Sequence, residues 1–153
     1  GLGLAAHILF MRFYPIYKPH AVFECYPPES SAWTLPGGSG VCHAWGASPL
    51  YLLGKYYLGV KPTAPGYARY TVEPNLGGLQ WMKGTVPTPN GTISLDVTRE
   101  QVKIRSTTGE GTILLKSKVK PEGQQLAMSD KGNGLYEIQV KPGTDYTIMY
   151  KAN

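Results

Sequence analysis

Charged residues and cysteines are scarce in this chain, and it has no apolar run of membrane-spanning length. Only 16% of its 153 residues are charged, against about 25% in soluble domains. Cys25 and Cys42 lack CxxC spacing, and two cysteines alone make neither a disulfide framework nor a zinc site. The sequence therefore predicts two free, partly buried thiols, no metal centre and no bound cofactor.

The apolar stretch over residues 2–14 is too short to cross a bilayer. It also lacks the initial methionine and basic patch of a signal peptide. We therefore expect no membrane span and interpret the stretch as a buried helix that ends before Pro15, which disfavours helix in the residue preceding it. The compartment stays open, because a leader peptide on a longer parent protein would lie upstream of Gly1.

The net charge of +5 is spread unevenly along the chain. Residues 1–60 hold three basic and two acidic residues, which leaves 12 basic and 8 acidic residues in the remainder. These later lysines are dispersed along predicted strands rather than clustered on one segment. The pattern indicates a solvated sheet face and no nucleic-acid partner.

A second helix is predicted from about Val41 to Tyr57, and it is apolar nearly all the way round except for His43. It either kinks at Pro49 or begins there, with Ser48 as N-cap. Gly59 suits the position just beyond its end. Because a helix without a polar face must be enclosed by other helices, this part of the chain is expected to belong to a larger helical body.

The two helices are separated by a loop of more than twenty residues, rich in proline and containing Gly37-Gly38-Ser39-Gly40. Loops of this length are unusual inside compact domains and often carry binding or catalytic residues. The glycine-rich part lacks the preceding strand and the lysine of a phosphate-binding loop, so a hinge or plain loop is the better interpretation.

Beyond Lys61 the apolar period changes to two, which is typical of strands with one buried face. Turn signals separate the segments, and Asn90-Gly91 is predicted to form a type I′ hairpin turn. Short strands at this spacing predict an antiparallel β-sandwich. We assign residues 1–60 to the helical domain and residues 61–153 to the sandwich, with strands expected at 92–97, 101–105, 136–140 and 146–150.

One long motif resembles a known family. It begins as Cys42-His43-Ala44-Trp45-Gly46-Ala47-Ser48-Pro49 and continues through YYLGVKP (56–62), PGYARYTVEP (65–74), LGGLQW (76–81) and GTVPTPNG (84–91). It resembles the end of the catalytic domain and the following domain in the α-L-rhamnosidases of glycoside hydrolase family 78. The resemblance implies an α+β chain: the last helices of an (α/α)6 barrel followed by an antiparallel β-sandwich, with the rest of the barrel supplied upstream.

The resemblance also implies a catalytic carboxylate. The general base of the family is a Glu that follows an aromatic residue about twenty residues before the Cys-His pair, and Phe23-Glu24 stands nineteen residues before His43. The continuation Cys25-Tyr26-Pro27 departs from the family pattern. Glu29 is a competing carboxylate without a preceding aromatic residue. On this basis Glu24 is expected to be the general base of an inverting glycosidase.

The remaining site residues follow from the same resemblance. His43 is expected to hydrogen-bond sugar hydroxyls, and Phe23 to form part of the pocket wall. Tyr26 and Trp33, on the loop, are candidates for an apolar sugar platform, whereas Trp45 is assigned to core packing. The general acid of the family has no counterpart here, so the isolated chain is expected to be inactive.

Two alternatives stay open. The chain could be a non-catalytic accessory or carbohydrate-binding sandwich with a helical remnant, or the end of a barrel glycosidase specific for another sugar. The first differs from the rhamnosidase hypothesis in whether Glu24 and His43 face one pocket. The second shares the whole architecture, and the sequence does not separate the substrates.

Overall fold

A computed structural model describes residues 48–152 of the chain. The chain divides into two units, Gly1–Leu53 and Gly54–Asn153, and each is described by itself. The helix predicted over residues 2–14, the loop after it and the start of the second helix at Val41 lie outside the described residues. The domain boundary at residue 60 stays a prediction.

In the first unit, the described residues form a short helix, α1 (Ser48–Leu52). Its Leu50 and Tyr51 side chains are 75% and 61% exposed, an apolar surface of the kind expected for a helix without a polar face. Helical winding continues as a π-helical turn over Leu53–Tyr57. Gly59 then has a φ of 74°, which confirms it as the residue just beyond the helix.

The second unit consists mainly of strands. The four strands predicted from alternation are all present, each within one residue of the expected limits. The complete set is β1 (Val60–Pro62), β2 (Arg69–Val72), β3 (Trp81–Thr88), β4 (Gly91–Thr98), β5 (Gln101–Ser106), β6 (Glu110–Lys116), β7 (Ala127–Asp130), β8 (Leu135–Val140) and β9 (Asp145–Met149), with a 3₁₀ turn over Pro65–Tyr67.

The strands form two sheets, a five-stranded one in the order β1-β2-β6-β8-β7 and a four-stranded one in the order β3-β4-β5-β9. Every described pair is antiparallel except β2 with β6, which run parallel with Val72 opposite Ile113. The prediction of a purely antiparallel sandwich is therefore wrong at this pair. A parallel pair needs a long crossover connection, and here the connection contains β3, β4 and β5.

One hydrophobic core contains side chains from both sheets. Alternate residues of each strand point inward, as the period of two requires. The five-stranded sheet contributes Val72, Ile113 and Ile138, and the four-stranded sheet contributes Ile93, Val102 and Ile148, all 0% exposed. The predicted β-sandwich is confirmed, whereas the barrel stays a prediction, because the described residues include only the end of its second predicted helix.

The β3–β4 hairpin differs from its prediction. Thr88 pairs with Gly91, so the two loop residues are Pro89 and Asn90 rather than Asn90 and Gly91. The pyrrolidine ring of Pro89 holds φ near −65°, which excludes a type I′ turn at these positions. Gly91 serves packing instead, since a Cβ atom there would collide with Thr107.

Candidate functional site

The site residues predicted from the family motif all lie outside the described residues. This applies to the proposed base, its competitor, the sugar-contacting histidine and the aromatic wall: Glu24, Glu29, His43, Phe23, Tyr26 and Trp33. Their roles stay predictions. The described residues that could form a functional site are therefore those of the sandwich and of the segment entering it.

Residues 48–152 meet the requirements of neither a metal site nor a membrane-spanning helix. Within this range, no group of three or more His, Cys, Asp and Glu side chains could hold a metal ion. No helix in the same range has the length and apolar composition needed to cross a membrane.

The segment entering the sandwich is bonded to the stretch after β2. Tyr57 and Leu58 are 1% and 3% exposed. The Asn75 amide donates to the Tyr57 carbonyl at 2.8 Å, and the Glu73 amide donates to the Gly59 carbonyl at 3.0 Å. A Cβ atom on Gly59 would collide with the Glu73 backbone, so this close approach needs glycine. Residues 57–59 are thus part of the folded sandwich.

The outer face of the four-stranded sheet, meaning its side opposite the core, carries a regular array of polar side chains. The strand registers set these residues in rows across the sheet. One row contains Lys83, Asp96, Lys103 and Thr147, and the row beside it Thr85, Ser94, Arg105 and Asp145. The row at the edge, which we call the Trp81 row, contains Trp81, Thr98, Gln101 and Met149.

Contacts within this outer face neutralise most of its charge. Arg105 Nη1 lies 2.7 Å from Asp145 Oδ2, and Lys83 Nζ lies 3.9 Å from Asp96 Oδ2. The hydroxyls of Thr85 and Ser94 are 3.0 Å apart. The charged side chains of both ion pairs are at least 39% exposed, so they remain accessible to solvent and add little stability.

Both ends of the Trp81 row expose apolar side chains. Trp81 is 65% exposed and Met149 is 45% exposed, and the Gln101 amide nitrogen lies 3.1 Å from the Met149 sulfur. Between them, the Thr98 hydroxyl accepts hydrogen bonds from the amides of Glu100 and Gln101. The row therefore combines an exposed indole, a thioether and amide groups on one edge.

The backbone around Trp81 is held by a side chain from the β4–β5 turn and by one that follows β9. Arg99 Nη2 donates to the carbonyls of Gly77 and Leu79, each at 3.0 Å, which fixes the loop leading into β3. The Tyr150 hydroxyl donates to the Thr98 carbonyl at 2.8 Å. The exposed indole consequently stands on a well-anchored strand end.

Sequence reasoning did not identify Trp81 as a functional candidate, although a signal was present. Met82, Gly84 and Val86 alternate with Trp81, Lys83 and Thr85 along β3. Because the first set is the one that can face a core, the second must face outward. An outward tryptophan among polar neighbours was thus readable from this period of two.

Three tyrosine hydroxyls of the sandwich have pKa values shifted upward. Burial raises the pKa of Tyr57. Burial also raises the pKa of Tyr70, against a smaller lowering by the Ser106 hydroxyl and with a further rise from Tyr146. Among the described residues the Tyr70 hydroxyl has no partner of good hydrogen-bond geometry. Burial raises the pKa of Tyr150, and Arg99 offsets part of this. These shifts keep the hydroxyls protonated and suit a structural role.

Residues 59–109 match the family model described as the bacterial alpha-L-rhamnosidase C-terminal domain. The curated proteins gave no match.

Two solved structures are similar to the chain. One is the alpha-L-rhamnosidase of Streptomyces avermitilis complexed with L-rhamnose, with 13% identity, a TM-score of 0.61, and coverage of 74% of this chain and 12% of that one. The other is the alpha-L-rhamnosidase of Dictyoglumus thermophilum, with 18% identity, a TM-score of 0.49, and coverage of 74% and 15%. The chain thus spans less than a sixth of either protein. The first likeness shows that the two proteins share a fold.

The family model agrees with the resemblance that the sequence motif indicated, and the first structural likeness agrees with the fold. The match to the family model covers the strands β1 to β5 and the turn after them, and it includes most of the quoted motif. Residues 59–109 of this chain are therefore similar to the C-terminal domain of bacterial α-L-rhamnosidases.

Proposed function

We propose that this chain is the C-terminal part of a glycoside hydrolase that removes terminal α-L-rhamnose from glycans or glycosides. The observation that carries the proposal is the match of residues 59–109 to the rhamnosidase C-terminal domain. The Cys42-His43-Ala44-Trp45 motif just upstream supports it, because it resembles the end of the catalytic domain in the same enzymes. The upstream part of the barrel is the partner that this function requires.

In the proposed mechanism, Glu24 is the general base of an inverting reaction. Inversion needs a carboxylic acid to protonate the leaving oxygen and a carboxylate to activate water on the opposite ring face, about 6.5–9.5 Å apart. The base must be ionised and within hydrogen-bond reach of that water. Glu24 would fulfil this role from the long loop, and the acid would come from the upstream barrel.

The other predicted residues would bind the sugar. The imidazole of His43 can both donate and accept hydrogen bonds, which suits sugar hydroxyls. Phe23 would form a wall beside the base, and Tyr26 and Trp33 would offer aromatic faces to the apolar side of the ring. Such contacts position the substrate for reaction.

The sandwich would have a structural role in the parent enzyme. Tyr57 and Leu58 are buried, and residues 57 and 59 are hydrogen-bonded to the segment after β2. These contacts would fix the segment that leads into β1.

The test is hydrolysis of an aryl α-L-rhamnoside by the complete parent enzyme and its variants. Glu24→Gln keeps the shape of the side chain but cannot accept the proton of water, so we expect kcat to fall by about 10²–10⁴-fold with little change in sugar binding. Glu29→Gln is the matched control and should stay close to wild type. His43→Ala should raise KM and lower kcat together, because it removes a contact that is made to the bound sugar and strengthens in the transition state.

Three outcomes would contradict the proposal. A Glu24→Gln enzyme within about tenfold of wild type would remove Glu24 as the base, and a large loss in Glu29→Gln would transfer the role to its neighbour. A parent enzyme that hydrolyses other aryl glycosides but not the rhamnoside would favour the glycosidase specific for another sugar.

A further inference from the structure

We propose that the outer face of the four-stranded sheet, centred on the Trp81 row, is a binding platform for an uncharged saccharide chain. This platform contains none of the proposed catalytic residues and does not depend on hydrolysis. It belongs entirely to the sandwich, so the isolated chain contains all of it.

The first argument is the exposure of Trp81. An indole ring that is 65% exposed leaves a large apolar surface in water at the end of an otherwise polar strand. The faces of an indole ring are the negative part of its quadrupole, so they attract the slightly positive C–H groups on one side of a sugar ring. Tryptophan is also among the residues that most often dominate binding energies.

The second argument is the composition of the rows beside it. Within the strands of this face, Lys83, Lys103 and Arg105 stand against Asp96 and Asp145, which leaves one net positive charge. Lys83 and Arg105 are already paired with carboxylates. A face with so little net charge offers weak attraction to a polyanion, so nucleic acid, acidic polysaccharide and anionic lipid fit it poorly.

The same pairing separates a saccharide from an apolar partner. A hydrophobic surface laid on this face would have to desolvate two ion pairs and the Thr85–Ser94 hydroxyl pair, which is costly. Sugar hydroxyls can replace the water on these groups, since they both donate and accept hydrogen bonds. A ligand that fits paired charges and one aromatic face should therefore be neutral and carry many hydroxyl groups.

The third argument is that the platform is preorganised and long. Arg99 fixes the loop before Trp81, and Tyr150 fixes the Thr98 carbonyl, so binding would order little backbone and lose little entropy. Four strands at a spacing of about 4.8 Å extend the row across about 14 Å. That length accommodates several linked sugar rings rather than one.

The experiment is native gel electrophoresis of the full chain through gels that contain a soluble polysaccharide. The neutral probes are arabinoxylan, galactomannan and mixed-linkage glucan, and polygalacturonate is the acidic probe. We expect at least one neutral probe to retard the protein, to the same degree at low and high salt.

Substitutions then locate the binding surface. Trp81→Ala should weaken binding at least about tenfold, whereas Trp81→Tyr, which keeps an aromatic face, should retain most of it. Val119→Ala is the matched control, because Val119 is a 51% exposed apolar residue outside the face, and it should bind like wild type. Thermal unfolding of each variant separates loss of binding from loss of fold.

Four results would overturn the proposal. They are no retardation by any neutral probe, retardation by polygalacturonate alone that disappears with salt, wild-type binding by Trp81→Ala, and loss of binding in Val119→Ala. If Trp81→Ala destabilised the complete parent enzyme while no probe bound, the face would be covered by the rest of that protein, and the saccharide platform would be wrong.

Discussion

The two sheets of the sandwich are built in different ways. In the four-stranded sheet, β3, β4 and β5 follow one another along the chain and pair as consecutive hairpins. In the five-stranded sheet, β2 pairs in parallel with β6 only after the chain has completed three strands of the other sheet. Consecutive hairpins thus form most of the four-stranded sheet, whereas the five-stranded sheet depends at its centre on one distant parallel pair.

This difference bears on folding and on sensitivity to mutation. Closing a short hairpin loop costs less entropy than joining strands about forty residues apart, and local contacts form faster than distant ones. We therefore expect the β3–β4–β5 meander to be structured in the folding transition state, with the β2–β6 pair forming later.

The largest effect is expected from truncating a buried isoleucine in each sheet. Ile104 in β5 and Ile113 in β6 are 2% and 0% exposed, so replacing either by alanine should cost about 2–5 kcal/mol. Ile104→Ala should mainly slow folding, whereas Ile113→Ala should mainly speed unfolding. Stopped-flow folding and unfolding in urea measures both rates. If both variants changed the folding and unfolding rates in the same proportion, the proposed order of strand formation would be contradicted.

The next effect concerns a glycine in each sheet. A Cβ atom on Gly111 would meet the ring of Tyr70, which is 1% exposed, and a Cβ atom on Gly84 would meet only the end of the Leu58 side chain. Gly111→Ala should therefore cost about 1–3 kcal/mol through overpacking. Gly84→Ala should cost less, since a leucine methyl can move. Urea denaturation of both proteins tests the ranking, and a greater loss in Gly84→Ala would reverse it.

Removing the hydroxyl of Tyr150 and that of Tyr70 should affect stability differently. Tyr150→Phe removes the hydrogen bond to the Thr98 carbonyl and should lower stability by about 1 kcal/mol. Tyr70→Phe removes a buried hydroxyl without a well-formed hydrogen bond, and Ser106 keeps its bonds to Thr108. It should leave stability unchanged or raise it by up to about 1 kcal/mol. Chemical denaturation measures both, and a clear loss in Tyr70→Phe would reveal a bond that the hydroxyl makes.

The smallest effect is a dependence of stability on alkaline pH. Burial raises the pKa of Tyr57, Tyr70 and Tyr150 above the ordinary value of 10.0. Above about pH 10 the unfolded chain loses protons that the folded chain keeps, so the stability that these tyrosines contribute declines as pH rises through their folded pKa values. Below that pH they should give no slope. Melting temperatures from pH 7 to 11 test this, and Tyr70→Phe should flatten the decline.

The uneven construction also explains how much of the fold was predictable. The strands β4, β5, β8 and β9 alternate strictly between turn signals, so each was predictable to within a residue. β1 and β7 have three and four residues, too few for a period of two to stand out. The Thr-Ile-Leu-Leu run of β6 hides its alternation because Leu114 faces outward. The parallel pairing depends on distant contacts that no local pattern records.

The hairpin at residues 88–91 shows how neighbouring packing can shift a turn by one residue. The Asn90-Gly91 pair favours a type I′ turn when judged alone. In the fold, the Thr92 amide donates to Thr107 Oγ1 at 2.9 Å, and Gly91 lies against the same threonine. Gly91 is therefore drawn into β4, and Pro89 becomes a loop residue.

The candidate sites were predictable to different degrees. Glu24 and His43 came from a motif resembling a family, and they lie outside the described residues, so their roles stay predictions. Trp81 was inside the quoted motif as well, and its outward orientation follows from the period of two along β3, in which Met82, Gly84 and Val86 turn inward. A motif identifies a family, whereas the alternation along a strand identifies which residues of it are exposed.

The buried pair Tyr57 and Leu58 has a consequence for gene fusion and recombination. Both precede β1, yet both are buried and lie beside a glycine that tolerates no side chain. A crossover placed at the start of β1 would leave the sandwich without two of its own buried side chains, so a transferable gene segment would have to include the codons for Tyr57, Leu58 and Gly59.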